Sequence, residues 1–304
     1  MSDPCSVQNP TTPNSSQVFG PTFQKDLGKQ ERLSPTSVLA ITSGTGGVGK
    51  TNVVANLATA LSLKRKRVMV IDADLGMANL DLFLGVNPEY TLADFFAGKV
   101  SLNEIIAINS QGILLLPGVS GIPQITSLCD EQKLALLTEM DGLTHEMDFV
   151  LVDTGSGISD TVTYFATAAQ EIIVVATPDP ASMTDAYVLI EVLTAAHRQK
   201  RFSVLANNVT DEQEARRLFD TLSRAVLQQL NASVDCFGWI PRDPALVQAA
   251  ARSQIVVLDA AGSASAKAFL WLADKLVQSS AAIHVKGNPQ FFFRRLLEAR
   301  RGVQ

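Results

Sequence analysis

The chain predicts an α/β domain built on a mostly parallel, twisted sheet with helices on both faces. Three observations carry that expectation. From residue 38 onward, short apolar runs alternate with stretches of helical periodicity, the order expected of βαβ units. Several of the runs are apolar without interruption, as strands covered on both faces require. A glycine-rich loop then joins the first run to the first helical stretch, an arrangement that turns backbone N–H groups toward an anion.

Taken in order, the strands are expected at 38–42, 68–72, 113–116, 149–153, 172–177, 203–207 and 236–240. Helices are expected at 50–63, 131–141, 160–169, 183–196, 211–230, 244–252 and 264–277. Two boundaries carry their own chemistry. Ser101-Leu102-Asn103-Glu104 reads as a capping box at a short helix start. Asp211, with Glu212 and Glu214, places acids at a helix N-terminus, where the dipole favours them. No internal repeat is evident.

A single domain accommodates the 304 residues, 46% of them hydrophobic, without a second core. Residues 1–36 hold five prolines among Ser, Thr, Asn and Gln and read as a flexible tail. The domain proper spans 37–280, and 281–304 form a linker and a terminal helix. A net charge of −5 argues against a protein held on nucleic acid by bulk electrostatics, so no specific nucleic acid partner is expected. Cys5, Cys129 and Cys236 form no C-x-x-C pair, which fits reduced thiols in the cytoplasm. No apolar run approaches the length of a spanning helix.

The loop is Ser43-Gly44-Thr45-Gly46-Gly47-Val48-Gly49-Lys50-Thr51. It fits two templates. Gly44, Gly46 and Gly49 satisfy G-x-G-x-x-G, and Asp72 lies about where a ribose-binding acid would stand. Gly44, Gly49, Lys50 and Thr51 satisfy G-x-x-x-x-G-K-[ST]. The Lys-Thr pair favours the second, the P-loop, because a dinucleotide pyrophosphate needs neither a lysine for a γ-phosphate nor a hydroxyl for a metal. The expected fold is therefore that of a P-loop NTPase, with a nucleoside triphosphate and Mg²⁺ bound at the loop. Gly44 to Thr51 and Asn52 would surround the phosphates, and Lys50 would reach the terminal ones.

In an open parallel sheet, ligands sit beyond the carboxyl ends of the strands. Acids stand at two of those ends. Asp72 closes the second strand, and Asp153 closes the apolar run Phe149-Val150-Leu151-Val152. With the Thr51 hydroxyl, both suit direct or water-mediated coordination of Mg²⁺. Asp74, two residues beyond the strand, is placed to orient a water in line with the γ-phosphate.

Gly44–Thr51, the run Val70-Ile71-Asp72-Ala73-Asp74-Leu75-Gly76, Asn79-Leu80-Asp81 and Val152-Asp153-Thr154 together resemble the deviant-Walker MinD/ParA ATPases. Within that family, Ser182-Met183-Thr184-Asp185, Val204-Leu205-Ala206-Asn207, Gly238-Trp239-Ile240-Pro241 and Phe291-Phe292 resemble its flagellar-number regulators. The likeness covers about residues 37–300. It implies an ATPase that dimerises face to face around two ATP molecules, with Lys50 and Asp74 in catalysis and Asn207 and Pro241 facing the adenine. It also implies a flagellar transcriptional activator and an FlhF-type GTPase as partners. A ParA-like partitioning ATPase on DNA or cargo, or a diverged paralogue with little turnover, remain the alternatives. Thr45 departs from the pattern: the family carries there a lysine that reaches the partner's phosphates, and threonine is too short and uncharged to do so. Nucleotide binding with slow turnover is the expectation.

Near the end of the chain, Phe292, Phe293, Leu296 and Leu297 share one face at about 100° per residue, while Arg294, Arg295, Glu298 and Arg301 lie largely opposite. Residues 290–301 thus read as a basic amphipathic helix, and two copies in a dimer would hold a membrane better than one. Reversible peripheral association with the inner face of the cell membrane is the corresponding expectation.

Overall fold

The computed structural model describes residues 36–282 apart from 75–78, 91–93, 96, 119–138, 140–142 and 144–145. The expected tail up to residue 35, all but Glu139 of the expected helix at 131–141, and the basic terminal helix lie outside the described residues. The buried Thr36 hydroxyl donates to the Met147 carbonyl at 2.8 Å.

Among the described residues, eight strands form one sheet: β1 (Ser37–Ser43), β2 (Val68–Ala73), β3 (Ala107–Ile108), β4 (Leu114–Leu116), β5 (Phe149–Ser156), β6 (Glu171–Ala176), β7 (Arg201–Val209) and β8 (Ser233–Pro241). Their spatial order is β3-β4-β2-β5-β1-β6-β7-β8. Every pairing is parallel except that of β3 with β4. The chain leaves the central β1 toward one edge through β2 and β4. It returns through β5 and then builds the other edge through β6, β7 and β8. The order therefore reverses around β1, and the crevice at such a reversal is where an open sheet binds ligands.

The helices are α1 (Lys50–Leu63), α2 (Leu80–Leu84), α3 (Leu102–Ile105), α4 (Asp160–Ala168), α5 (Pro180–His197), α6 (Glu212–Leu230), α7 (Pro244–Ala251), α8 (Val256–Asp259) and α9 (Ala264–Ala282). Successive strand residues point to opposite faces, so the uninterrupted apolar runs feed two cores at once. Leu39, Ile41, Val70, Leu151 and Leu205 pack with Leu57 of α1 and Phe269 of α9. Val38, Ala40, Met69, Val150 and Val204 pack with Phe165 of α4, Leu189 of α5 and Leu218 of α6. Each such Leu, Ile, Val, Met or Phe side chain contributes about 1.5–3 kcal/mol on burial. Among the described residues, no helix is long and apolar enough to cross a membrane.

The capping chemistry is as expected. The Ser101 N–H donates to the Glu104 carboxylate at 2.7 Å, and Asp211 accepts the Glu214 N–H at 2.8 Å. Helix α5 starts three residues before the expected position because Asp179 stands at its N-cap and Pro180 at its first position, where a fixed φ costs nothing. Strand β8 also exceeds its expected range of 236–240. It is an edge strand, and the exposed Ser233, Asp235 and Cys236 break the apolar run. Lys275 of α9 donates to the Cys236 and Phe237 carbonyls of that edge at 2.8 and 2.7 Å, which blocks part of it against further strand pairing.

Candidate functional site

The glycine-rich loop connects β1 to α1 at the strand-order reversal. Its shape depends on residues without a Cβ at two points. A Cβ on Gly44 would overlap the main-chain carbonyl of Asp185 in α5, so this glycine lets the loop lie directly on a neighbouring helix. Gly49 sits at φ 88°, and a Cβ there would lie 2.6 Å from the Asn207 side-chain nitrogen. The loop is anchored at its base by the Ser43 hydroxyl, which donates to the Thr45 carbonyl at 2.8 Å. The Gly157 N–H donates to the Ser43 carbonyl at 2.9 Å and ties the loop to the end of β5.

Lys50 and Asp153 are both buried, and Lys50 Nζ lies 3.0 Å from Asp153 Oδ1. The same ammonium is 4.0 Å from Asp74 Oδ2, and the Thr51 side chain also bonds to Asp153. In the β2–β5 register Asp72 stands opposite Asp153. Its carboxylate accepts the Asp74 N–H at 3.1 Å. The structure thus brings Lys50, Thr51, Asp72, Asp74 and Asp153 to one place from three elements far apart in sequence.

Three carboxylates face one ammonium, and the electrostatics record the imbalance. Burial, with Asp153 close by, pushes the Asp72 carboxyl up from 3.8 to about 7, against hydrogen bonds from the Asp74 and Leu80 backbone. Burial also raises Asp153, while Lys50 and Thr51 hold it down in part. A divalent cation would relieve this excess of negative charge. Among the described residues, no three carboxylate, imidazole or thiol groups gather into a preformed metal cage. Mg²⁺ keeps most of its water and phosphate ligands and takes few from the protein. Thr51, Asp72 and Asp153 are the side chains positioned to serve it.

On the far side of the loop, Asn207 at the end of β7 donates its amide to the Val48 carbonyl at 2.6 Å. That bond fixes the amide orientation and leaves Asn207 Oδ1 buried with no partner among the described residues. An orphaned buried acceptor is costly unless a ligand donor fills it. The Asn52 carbonyl accepts the Asn56 amide at 2.9 Å, and Asn52 Oδ1 is a second buried acceptor without a partner among the described residues. Pro241 ends β8, opposite Val209 of β7. Thr45 is half-buried, and its carbonyl rather than its side chain holds the loop.

Sequence reasoning missed Asp243. Its carboxylate accepts the Ala245 N–H at 2.9 Å, and the Ser265 N–H and hydroxyl at 2.9 and 2.7 Å. It therefore joins the N-termini of α7 and α9 just beyond Pro241. The Asp243-Pro244 pair is a helix-start signal, but the second helix it caps is unreadable from sequence.

Known proteins agree with this geometry. The CobQ/CobB/MinD/ParA nucleotide-binding domain matches residues 39–257. The antiactivator FleN of Pseudomonas aeruginosa is 37% identical over 266 residues, covering 88% of this chain and 95% of FleN. The flagellum site-determining protein YlxH of Helicobacter pylori is 37% identical over 187 residues, covering 62% of this chain and 63% of YlxH. Among solved structures, MinD in the Aquifex aeolicus MinC:MinD cell division complex superposes with a TM-score of 0.64 at 28% identity, covering 83% of this chain and 99% of that one. MinD of Pyrococcus horikoshii, complexed with Mg-ADP, gives 0.62 at 28% identity, covering 82% of this chain and 100% of that one. The buried Lys50–Asp153 pair beneath a glycine loop, on a sheet of this order and with these relatives, makes the chain a member of the MinD/ParA family of nucleotide-binding proteins, in the branch that FleN represents.

Proposed function

We propose that this protein is an ATP-dependent switch that controls flagellar number or placement and flagellar gene expression through nucleotide-dependent dimerisation and membrane association. The observation that carries the reading is the cluster of Lys50, Asp72, Asp74 and Asp153 around the glycine loop, in a chain whose relatives include FleN and YlxH. Lys50 leaves Asp153 for the terminal phosphates when nucleotide enters. Thr51, Asp72 and Asp153 would hold Mg²⁺ directly or through water, and the ion would supply positive charge to the phosphates. Asp74 orients the attacking water and withdraws its proton. Asn207 Oδ1 and the backbone at Pro241 receive the adenine, whose exocyclic amine is a donor of the kind that orphaned oxygen lacks. Residues 290–301 carry the dimer to the cytoplasmic face of the membrane, and a flagellar activator and an FlhF-type GTPase are the protein partners.

Thr45 favours a second reading, a nucleotide-binding regulator with little turnover. A charged finger on a transferring phosphate is worth about 10³–10⁵ in rate, and threonine supplies none. Equilibrium binding of Mg-ATP, Mg-GTP and NAD, with sizing in each nucleotide state, tests the main proposal. Tight binding of NAD in preference to Mg-ATP, or a size indifferent to nucleotide, overturns it. A Thr45→Lys variant that hydrolyses ATP no faster than the parent removes the argument for slow turnover.

A further inference from the structure

The end of the sheet opposite the nucleotide loop is basic. Two turns feed strands there. The first, Lys64-Arg65-Lys66-Arg67, joins α1 to β2, and the second, Arg198-Gln199-Lys200-Arg201, joins α5 to the start of β7. α1 and α5 lie on opposite faces of the sheet, and β2 and β7 are separated by three strands. At about 4.8 Å per strand the two turns stand roughly 19 Å apart along the sheet. Lys64, Arg67 and Arg201 pair with Asp274, Asp148 and Asp235. Among the described residues, Arg65, Lys66, Arg198 and Lys200 have no acidic partner.

The backbone makes these arginines more than solvated surface. Arg65 and Arg198 follow their helices in the left-handed conformation, at φ 58° and 57°, positions that glycine fills without steric cost. A basic residue just past a helix C-terminus gains from the dipole, and Lys64 already supplies that charge after α1. Leu63, the last residue of α1, is 51% exposed, and Leu227, in the last turn of α6, is 62% exposed. The Lys200 ammonium donates to the Leu230 carbonyl at 3.4 Å, which holds the second turn against the end of α6.

Helix α9 also ends at this pole. Ser265 near its start bonds to Asp243 beyond β8, and Asp274 farther along meets Lys64 after α1, so α9 descends from the nucleotide end. Cations flanked by exposed leucines suit an anionic lipid surface, because headgroups take the charge and the interfacial region takes the side chains. Nucleic acid would use the cations but not the leucines.

We propose that the two basic turns are a lipid-contacting surface of the folded domain, which recognises anionic headgroups. The inference rests on the membrane reading of the C-terminal segment for its occupant, and on the domain's own residues for its location. Each cation near an anionic leaflet contributes about fivefold in partitioning.

The test is co-sedimentation of the full chain with vesicles of phosphatidylglycerol and phosphatidylcholine, and with phosphatidylcholine alone. The patch variant is Arg65→Gly, Lys66→Ser, Arg198→Gly, Lys200→Ser, whose glycines relieve the left-handed positions and so protect folding. A Phe292→Asp/Phe293→Asp variant tests the C-terminal segment separately. The expected result is at least a tenfold loss of binding to the anionic vesicles by the patch variant, with an unchanged thermal midpoint and a steep fall of wild-type binding with salt. Undiminished binding by the patch variant overturns the proposal, whatever the phenylalanine variant does. Undiminished binding by the phenylalanine variant alone removes the C-terminal reading and leaves the patch standing. Wild-type protein that ignores anionic vesicles, or a patch variant that loses only duplex DNA binding, also overturns it.

Discussion

Replacing Asp72 with asparagine should stabilise the nucleotide-free protein, and the gain should depend on pH. Asp72 is 2% exposed. Burial and the facing Asp153 raise its carboxyl from 3.8 to about 7. An acid whose folded pKa is raised favours folding when protonated and opposes it when ionised. The penalty is absent below 3.8, grows between 3.8 and about 7, and is complete above that. At about 1.4 kcal/mol for each unit of pKa, the separation is worth about 4 kcal/mol. The substituted amide is neutral throughout and retains an oxygen for the Asp74 N–H that the carboxylate accepts at 3.1 Å. Urea unfolding without nucleotide or Mg²⁺ should therefore show a variant about 2–4 kcal/mol more stable than wild type above pH 8 and nearly equal to it close to pH 4. An equal gain at both values, or a loss above pH 8, would refute the electrostatic account. With Mg-ATP present the order should invert, since the variant loses a carboxylate that serves the metal.

Three other substitutions probe separate parts of the site. Lys50→Met leaves the buried Asp153 without its cation, so the apo protein should lose about 3–5 kcal/mol in chemical unfolding, and Mg-ATP binding by calorimetry should vanish; retained affinity contradicts the role given to Lys50. Gly44→Ala drives a Cβ into the Asp185 carbonyl, so nucleotide affinity should fall at least tenfold, with a lower thermal midpoint as the loop lifts from α5. Asn207→Asp turns the donor facing the Val48 carbonyl into an acceptor, which should weaken ATP binding and cost about 1–3 kcal/mol of stability; an unchanged dissociation constant for ATP would remove Asn207 from the base site.

Much of the site was legible because its chemistry is local. The glycine loop, Lys50 and Thr51 are contiguous, and Asp72 and Asp153 each close an apolar run that a reader can end by eye. Strand β3 was not legible, because two residues pairing antiparallel at an edge carry no periodicity. The full length of β8 was hidden for a related reason: an edge strand exposes polar side chains and dilutes the apolar pattern. Asp243 escaped because its partner Ser265 is 22 positions away, and a carboxylate in a loop has no pattern of its own.

The sequence by itself determined the fold class and the phosphate loop, since alternating apolar runs, glycines and a Lys-Thr pair act over a few neighbouring residues. Only the tertiary structure decided that Lys50 rests on Asp153 at 3.0 Å, that Asp72 carries a pKa of about 7, and that Asn207 keeps an unfilled acceptor. It also decided that the cations of two distant turns share one end of the sheet. Each of these depends on strand order and burial. Charge and hydrogen-bond energies are set by distances between groups that chain order does not specify.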